Sequence, residues 1–241
     1  MLHSPLFAKE EAMTIPKLSL RLRCAASLVR QGSFVADVGT DHAYLPIALL
    51  SEGRIRGGVV SDINKGPIER ARTNIRACGF EDRLTPVLCD GLSKIEPYAP
   101  EDILILGMGG ELIASILSAA PWVKNPAIQL ILQPMTHAEA LRRYLLEEGF
   151  SITEEALVKE EKLYQILSAT YGGDAEEPYS ALELLVGRKN LLRRDALAEE
   201  LLLHWERVLT ARREGKRMAG AESPEEDELL QQIGEWKHDR T

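Results

Sequence analysis

Short apolar runs alternate with helical stripes through the first two-thirds of this chain. Five runs rich in β-forming residues stand out: Phe34–Val38, Gly58–Ile63, Leu84–Leu88, Asp102–Leu106 and Ile128–Leu132. Helical spacing precedes the first run at Leu18–Arg30. It returns after the others from Ala43, over Ile68–Ala77, Leu112–Ala120 and Thr136–Glu147. Pro67 suits the first turn of its helix, and Gly79 and Gly149 suit stops. The rhythm then changes. Phe150–Val158 and Lys162–Tyr171 are joined by Lys159-Glu160-Glu161 with no helix between them, so they predict an antiparallel hairpin.

Beyond a polar linker at Gly172–Pro178, one long helical pattern covers Tyr179–Arg217, with Gly187 as a point of interruption. A turn at Gly220–Pro224 leads to a second helix, Pro224–Trp236. The expected architecture is α/β: a mostly parallel, seven-stranded, Rossmann-like sheet with a terminal antiparallel hairpin, followed by a C-terminal helical coiled-coil hairpin. The expected boundaries are a leader at 1–16, with Met13 as an alternative start, a nucleotide-binding domain at 17–173 and a helical domain at 174–241. Five β-α units closed by a hairpin are the layout of Rossmann-like methyltransferases; a dehydrogenase would continue β-α-β.

Composition narrows the class. The chain has 241 residues, 45% hydrophobic and 27% charged, as in a soluble globular protein. Its net charge of −8 disfavours general polyanion binding but leaves room for a local basic face. Within 188–217, nine Lys/Arg face five acids. That segment reads either as a nucleic-acid arm or as a surface helix laced with ion pairs. Lys17, Arg21, Arg23 and Arg30 give the first helix a basic face open to the same two readings. Cys24, Cys78 and Cys89 lack C-x-x-C spacing and read as reduced thiols of a cytoplasmic protein, and the scattered histidines show no metal-ligand spacing. No signal peptide is visible. Ile103–Val123 is apolar, but Glu111 and Pro121 point to strand, turn and helix rather than a membrane span.

The candidate chemistry gathers at the ends of the strands. The first run turns at Gly39 into a helix, so the backbone there can approach a ligand and helix N–H groups are offered to it. Asp41 and His42 sit in that turn. Asp62 follows Gly39 by 23 residues, the spacing of a ribose-binding acid in nucleotide-binding folds, where it is about 20 residues. No G-x-G-x-x-G is present, so the loop suits an adenosine without phosphates better than a dinucleotide and points toward S-adenosylmethionine. Asp90 ends the third run, where it can accept from an adenine amino group or make an Asx turn. Gly107-Met108-Gly109-Gly110 ends the fourth and permits close backbone approach.

These residues resemble one family, the bacterial tRNA (adenine-22-N1)-methyltransferases (TrmK). The resemblance rests on Leu18–Leu22, Asp37–Pro46, Asp62–Pro67, Asp90-Gly91-Leu92, Gly107–Gly110, Ile131–Pro134 and Glu161–Tyr164, and runs from about Leu18 to Gly173. It implies a class I fold with a C-terminal coiled coil, S-adenosylmethionine as donor and tRNA as acceptor. It implies a cofactor site formed by Asp37, Gly39, Thr40, Asp41, His42, Asp62, Ile63, Asp90, Gly91, Gly107, Met108, Gly109 and Gly110. The expected catalytic groups are Asp41, as a carboxylate near the methylated ring, and His42, as an alternative orienting group; Asp41 could instead only cap its helix. Arg21, Arg23, Arg188, Lys189, Arg193 and Arg194 are the expected tRNA contacts, and the expected state is a monomer. The Asn/Asp-Pro-Pro-aromatic tetrad of amino-methyltransferases is missing from the end of the fourth run, which favours a ring nitrogen as acceptor. The alternatives are a methyltransferase for another RNA, a small molecule or a protein, and an RNA-binding module with a vestigial pocket.

Overall fold

The computed structural model describes residues 15–173 and 177–238. The leader, including Met13, and the middle of the linker lie outside these residues. Ser19 caps the first helix, α1 (Leu20–Leu28), by accepting the Leu22 N–H. Six elements follow: β1 (Ser33–Val38), α2 (Tyr44–Ser51), β2 (Ile55–Asp62), α3 (Lys65–Ala77), β3 (Leu84–Leu88) and β4 (Asp102–Gly109). The sheet is completed through α4 (Gly110–Ser118), β5 (Gln129–Thr136), α5 (Ala138–Glu147), β6 (Phe150–Lys159) and β7 (Leu163–Tyr171). Strand order is β3-β2-β1-β4-β5-β7-β6; the first five strands pair in parallel, and β7 runs antiparallel to both neighbours. The order reverses between β1 and β4, and a ligand crevice belongs at the carboxyl ends there.

The apolar run of β4 explains its central place. Ile103, Leu104 and Ile105 are fully buried on both faces of the sheet. One core holds Ile103 and Ile105 with α4 and α5; the other holds Leu104 with α1, α2 and α3. Asp102, which starts β4, is buried but takes the Arg30 main-chain N–H at 2.7 Å and Arg30 Nε at 2.6 Å. The apolar stretch from Ile103 to Val123 is thus a central strand and a packed helix, and no described helix is long and apolar enough to cross a membrane.

Two sequence expectations are corrected. The Gly107–Gly110 loop is largely strand: β4 keeps pairing with β5 through Gly109, across two irregularities, and Gly110 opens α4. A Cβ on Gly110 would collide with the His137 carbonyl, so a bare Cα is what lets the starts of α4 and α5 meet.

The long helix over Tyr179–Arg217 is three helices: α6 (Ala181–Val186), α7 (Arg188–Arg193) and α8 (Ala196–Met218). Gly187 breaks the first junction at φ 99°, where a Cβ would run into the Glu155 carboxylate. Arg194 breaks the second in the left-handed region at φ 51°, and Asp195 then caps α8 by accepting the Leu197 and Ala198 N–H groups. Of the leucines spaced as one helical stripe, Leu182, Leu185 and Leu209 share one core, whereas Leu192 and Leu203 are exposed. That core also contains Leu157 of β6 and the last helix, α9 (Pro224–His238). Ion pairs Lys216–Glu226 and Lys237–Glu206 set α8 and α9 antiparallel.

Candidate active site

The crevice at the β1–β4 reversal brings the two glycine segments together. Gly39 has φ 78°, and a Cβ there would strike the Met108 methyl group. Strand order sets these segments side by side, since β1 and β4 are neighbours in the sheet. The turn after β1 is closed more firmly than the sequence suggests. Gly39 and Thr40 donate their N–H groups to the Ser61 carbonyl, at 2.8 and 2.9 Å, and Ala43 N donates to Thr40 Oγ1 at 3.1 Å. Those main-chain donors are therefore spent within the fold and are not offered to a ligand. With the Gly39, Thr40 and Ala43 N–H groups consumed, the turn suits a nucleoside better than a pyrophosphate.

Four acids surround the crevice. Asp37 is buried at the end of β1, and burial pushes its carboxyl up to about 6, against the pull of a hydrogen bond from the Thr40 hydroxyl. Asp62 ends β2, where its Oδ1 accepts the Asn64 N–H at 2.7 Å. The Cys89 N–H donates to the Asp62 carbonyl at 3.1 Å, which places exposed Asp90 beside it. Ile63, 61% exposed, offers an apolar surface next to Asp62. Gly91 packs close to Ile116 of α4, at 3.1 Å for a built Cβ. The Ser61 hydroxyl, one residue before Asp62, is buried with no hydrogen-bond partner among the described residues.

Asp41 is exposed and held from both sides: Arg70 of α3 pairs with Oδ1, and His42 Nε2 lies 3.0 Å from Oδ2. The Arg70 hydrogen bond is the main cause holding the Asp41 carboxyl below the usual range. His42 stacks on Tyr44 at 4.8 Å, and its carbonyl accepts from Asn74 Nδ2 at 3.0 Å. Tyr44 belongs to the Asp37–Pro46 stretch, but Arg70 and Asn74 carry no sequence motif, and only the folding of α3 against the loop shows them.

The methyltransferase-domain family matches residues 18–167. Over 172 residues, 71% of this chain and 72% of the relative, the sequence is 34% identical to the tRNA (adenine(22)-N(1))-methyltransferase of Bacillus subtilis. The chain belongs to the tRNA (adenine(22)-N(1))-methyltransferase family. The structure of the Bacillus subtilis m1A22 tRNA methyltransferase TrmK superposes with a TM-score of 0.78 at 29% identity, covering 91% of this chain and 95% of that one. Streptococcus pneumoniae Sp1610, solved in complex with S-adenosyl-L-methionine, superposes at 0.80 with 31% identity, covering 91% and 99%.

In this member of the family, the cations expected to touch tRNA divide into two groups. Arg188 pairs with Glu183 at 2.7 Å and lies over the Tyr179 ring at 4.0 Å. Arg193 donates to the Glu155 carbonyl at 2.5 Å and pairs with Asp195, and Arg194 lies over Trp236. The Lys189 main-chain N–H donates to Glu155 Oε2. These residues join the C-terminal helices to each other and to β6, so their charge excess in the sequence partly reflects internal bonding. Arg21 reaches the crevice, and Arg23 is exposed on α1.

A second concavity of about 920 Å³ opens between the carboxyl end of β5, the start of β7 and the α8–α9 pair. Arg143, Lys162, Arg207 and Arg212 line it with Tyr164 and Trp205, and Glu139, Glu200, Glu225 and Glu228 lie along the same walls. Sequence reading missed this groove because its residues come from five distant segments.

Proposed function

We propose that this protein transfers a methyl group from S-adenosylmethionine to N1 of adenine 22 in the D-arm of tRNA. The reading rests on the convergence of Asp37, Gly39, Asp62, Asp90 and Gly107–Gly110 at one strand-order reversal in a chain of this family. The crevice fits the cofactor: its acids match a ligand bearing ammonium and sulfonium charge, and the buried Ser61 hydroxyl has bonding capacity to spare. When bound, S-adenosylmethionine supplies an electrophilic methyl group.

The protein's part is mainly alignment. Adenine N1 carries an in-plane lone pair and needs no deprotonation before it attacks. The site must place N1 in line with the donor bond, in a space from which water is excluded. N1 lies on the pairing edge, so the target base must leave its stack. Asp62 would accept from the ribose hydroxyls of the cofactor, Asp90 from its adenine amine, and Ile63 would offer the ring an apolar surface. Asp41 stabilises the cationic methylated ring and accepts from its exocyclic amine. Its ionisation is secured by Arg70 and His42, although Arg70 also offsets part of its field. The groove beside α8 and α9 receives the tRNA backbone, with Arg143, Lys162, Arg207 and Arg212 as its contacts.

The decisive experiment incubates the protein with labelled S-adenosylmethionine and unmodified tRNA, then identifies the nucleoside. N1-methyladenosine that disappears when adenine 22 is replaced supports the reading; unlabelled tRNA in the presence of measurable cofactor binding overturns it. Asp41→Asn should lower kcat by about 10- to 100-fold, the worth of one charged hydrogen bond, with cofactor affinity unchanged. An unaltered kcat leaves Asp41 only its ties to Arg70 and His42; it does not cap its helix as the sequence allowed, because the N-cap of α2 is Ala43 and no side chain caps it.

Asp37 gives a pH dependence with a definite sign. Its carboxyl is raised from 3.8 to about 6 by burial, so the protonated form suits the ligand-free fold. The stability this contributes is full below 3.8 and lost as pH rises through 6. A cationic ligand reverses the preference by favouring the carboxylate. Cofactor affinity, measured by calorimetry, should therefore rise about tenfold from pH 5 to pH 7 and then level off. A flat profile separates Asp37 from the ligand's charge.

A further inference from the structure

Two arginines packed at the sheet meet a carboxylate: the half-exposed Arg30 meets Asp102, and the buried Arg142 meets Glu155. Arg21 is built differently. Its main-chain N–H donates to Glu160 Oε1 at 2.7 Å, which ties the start of α1 to the turn between β6 and β7. Its guanidinium forms no ion pair within 4.0 Å of that acid among the described residues, although that main-chain bond first, and the guanidinium charge after it, help to hold the Glu160 carboxyl below the usual range. Nη1 donates to Gln133 Oε1 at 2.6 Å, and the guanidinium carbon lies 5.6 Å from the centre of the Tyr164 ring. Nη1 also stands 3.8 Å from the place of a Cβ on Gly107, which has none.

Gln133 is fully buried at the carboxyl end of β5. Its Nε2 donates to the Pro134 carbonyl at 2.9 Å, which turns Oε1 toward Arg21. The guanidinium is thus aimed by a neutral amide and an aromatic ring, and no ion pair among the described residues uses it. A neutral partner fixes direction without cancelling charge. A guanidinium has five N–H donors in a planar fork, and one bond to Gln133 leaves most of them for a second partner. The bare Gly107 keeps the approach open at the point where the β1–β4 crevice meets the Tyr164 end of the groove.

We propose that Arg21 is an anion-binding residue of the reaction site and takes an oxyanion beside Gly107. Two reactants of the proposed function carry one: the carboxylate at the methionine end of the cofactor, and a phosphate next to the extruded nucleotide. The identity of the anion rests on the methyl-transfer reading; the site itself does not.

The test uses Arg21→Ala and Gln133→Glu in the full chain. The second variant keeps both side chains but gives Arg21 an internal carboxylate that cancels its charge. Calorimetry without tRNA measures S-adenosylmethionine and 5′-methylthioadenosine, which lacks the carboxylate. Filter binding without cofactor measures tRNA over a range of salt. If the anion is the carboxylate, both variants weaken S-adenosylmethionine by about 10- to 100-fold and leave 5′-methylthioadenosine unchanged. If it is a phosphate, both variants weaken tRNA and reduce its salt slope by about one. Unchanged affinities for all three ligands overturn the proposal, as does equal weakening of both small ligands. Should Arg21→Ala unfold, Gln133→Glu decides alone. Loss of S-adenosylmethionine affinity in a protein that methylates no tRNA keeps the anion site and removes the acceptor.

Discussion

Replacing Arg142 with alanine should lower the thermal unfolding midpoint by roughly 10 °C. Arg142 lies on α5 and is fully buried. Its Nε donates to Glu155 Oε1 at 2.7 Å, Nη1 to the Leu184 carbonyl at 2.9 Å, and Nη2 to Gln165 Oε1 at 2.7 Å. It therefore ties β6 and β7 to the end of α6. Removing one partner of a buried pair costs about 3–5 kcal/mol because the other charge stays buried and unpaired. For a chain of this size, each kcal/mol moves the midpoint by about 2–4 °C.

The same substitution frees carbonyls at the end of α6, so the C-terminal helices should become the first part to exchange amide protons. Calorimetry checks the midpoint, and hydrogen exchange checks the location. A double variant, Arg142→Met with Glu155→Leu, should recover only part of the loss: it removes both charges, but it leaves the Lys189 N–H and the Leu184 carbonyl without their partners. A midpoint within about 2 °C of the parent in Arg142→Ala would show the pair to be dispensable.

The second large effect is on the cofactor. Asp62→Ala should weaken S-adenosylmethionine by roughly a hundredfold in calorimetry, the worth of one to two hydrogen bonds to a charged group. Asp62 is at the last position of β2, and its Oδ1 already accepts the Asn64 N–H. A carboxylate has about four acceptor sites, so ribose hydroxyls still find partners there. Asp62→Asn keeps one acceptor and should lose less. The fold should be nearly untouched, because Asp62 is partly exposed. Unchanged affinity in Asp62→Ala removes Asp62 from the ribose site and moves that role to another residue of the crevice.

Much of the architecture was legible because its signals are local. The five strands and their helices follow from apolar periodicity that a few neighbouring residues set. The Phe150–Val158 and Lys162–Tyr171 hairpin follows from two runs with no room for a helix between them; the structure extends β6 by only one residue. The acids Asp37, Asp62 and Asp90 could be picked out because each ends an apolar run, and a strand's carboxyl end is where such folds bind ligands.

The residues that the sequence could not place depend on distant partners. Helical periodicity continues across Gly187 and Arg194, so it hides two breaks. The breaks come from the Glu155 carboxylate, which leaves no room for a Cβ at 187, and from the left-handed turn at Arg194. The same blindness applied to charge. Arg188, Arg193 and Arg194 look like an excess of positive charge when counted along the chain, yet each makes an internal contact. Conversely, Arg143 and Lys162 stand alone in the sequence and meet across one groove in the fold.

By itself the sequence determined the strand-and-helix order, the terminal hairpin, the loop carrying Asp41 and His42, and the acids at the strand ends, because each depends on residues close in the chain. The tertiary structure alone decided the β1–β4 neighbourhood that sets Gly39 against Met108, the Arg70 and His42 grip on Asp41, the Arg21–Gln133 contact, and the buried Arg142–Glu155 tie. The physical reason is range. A periodic pattern records which face of an element is buried, but the partner of a charged side chain is chosen by sheet order and helix packing, which join residues far apart in the chain.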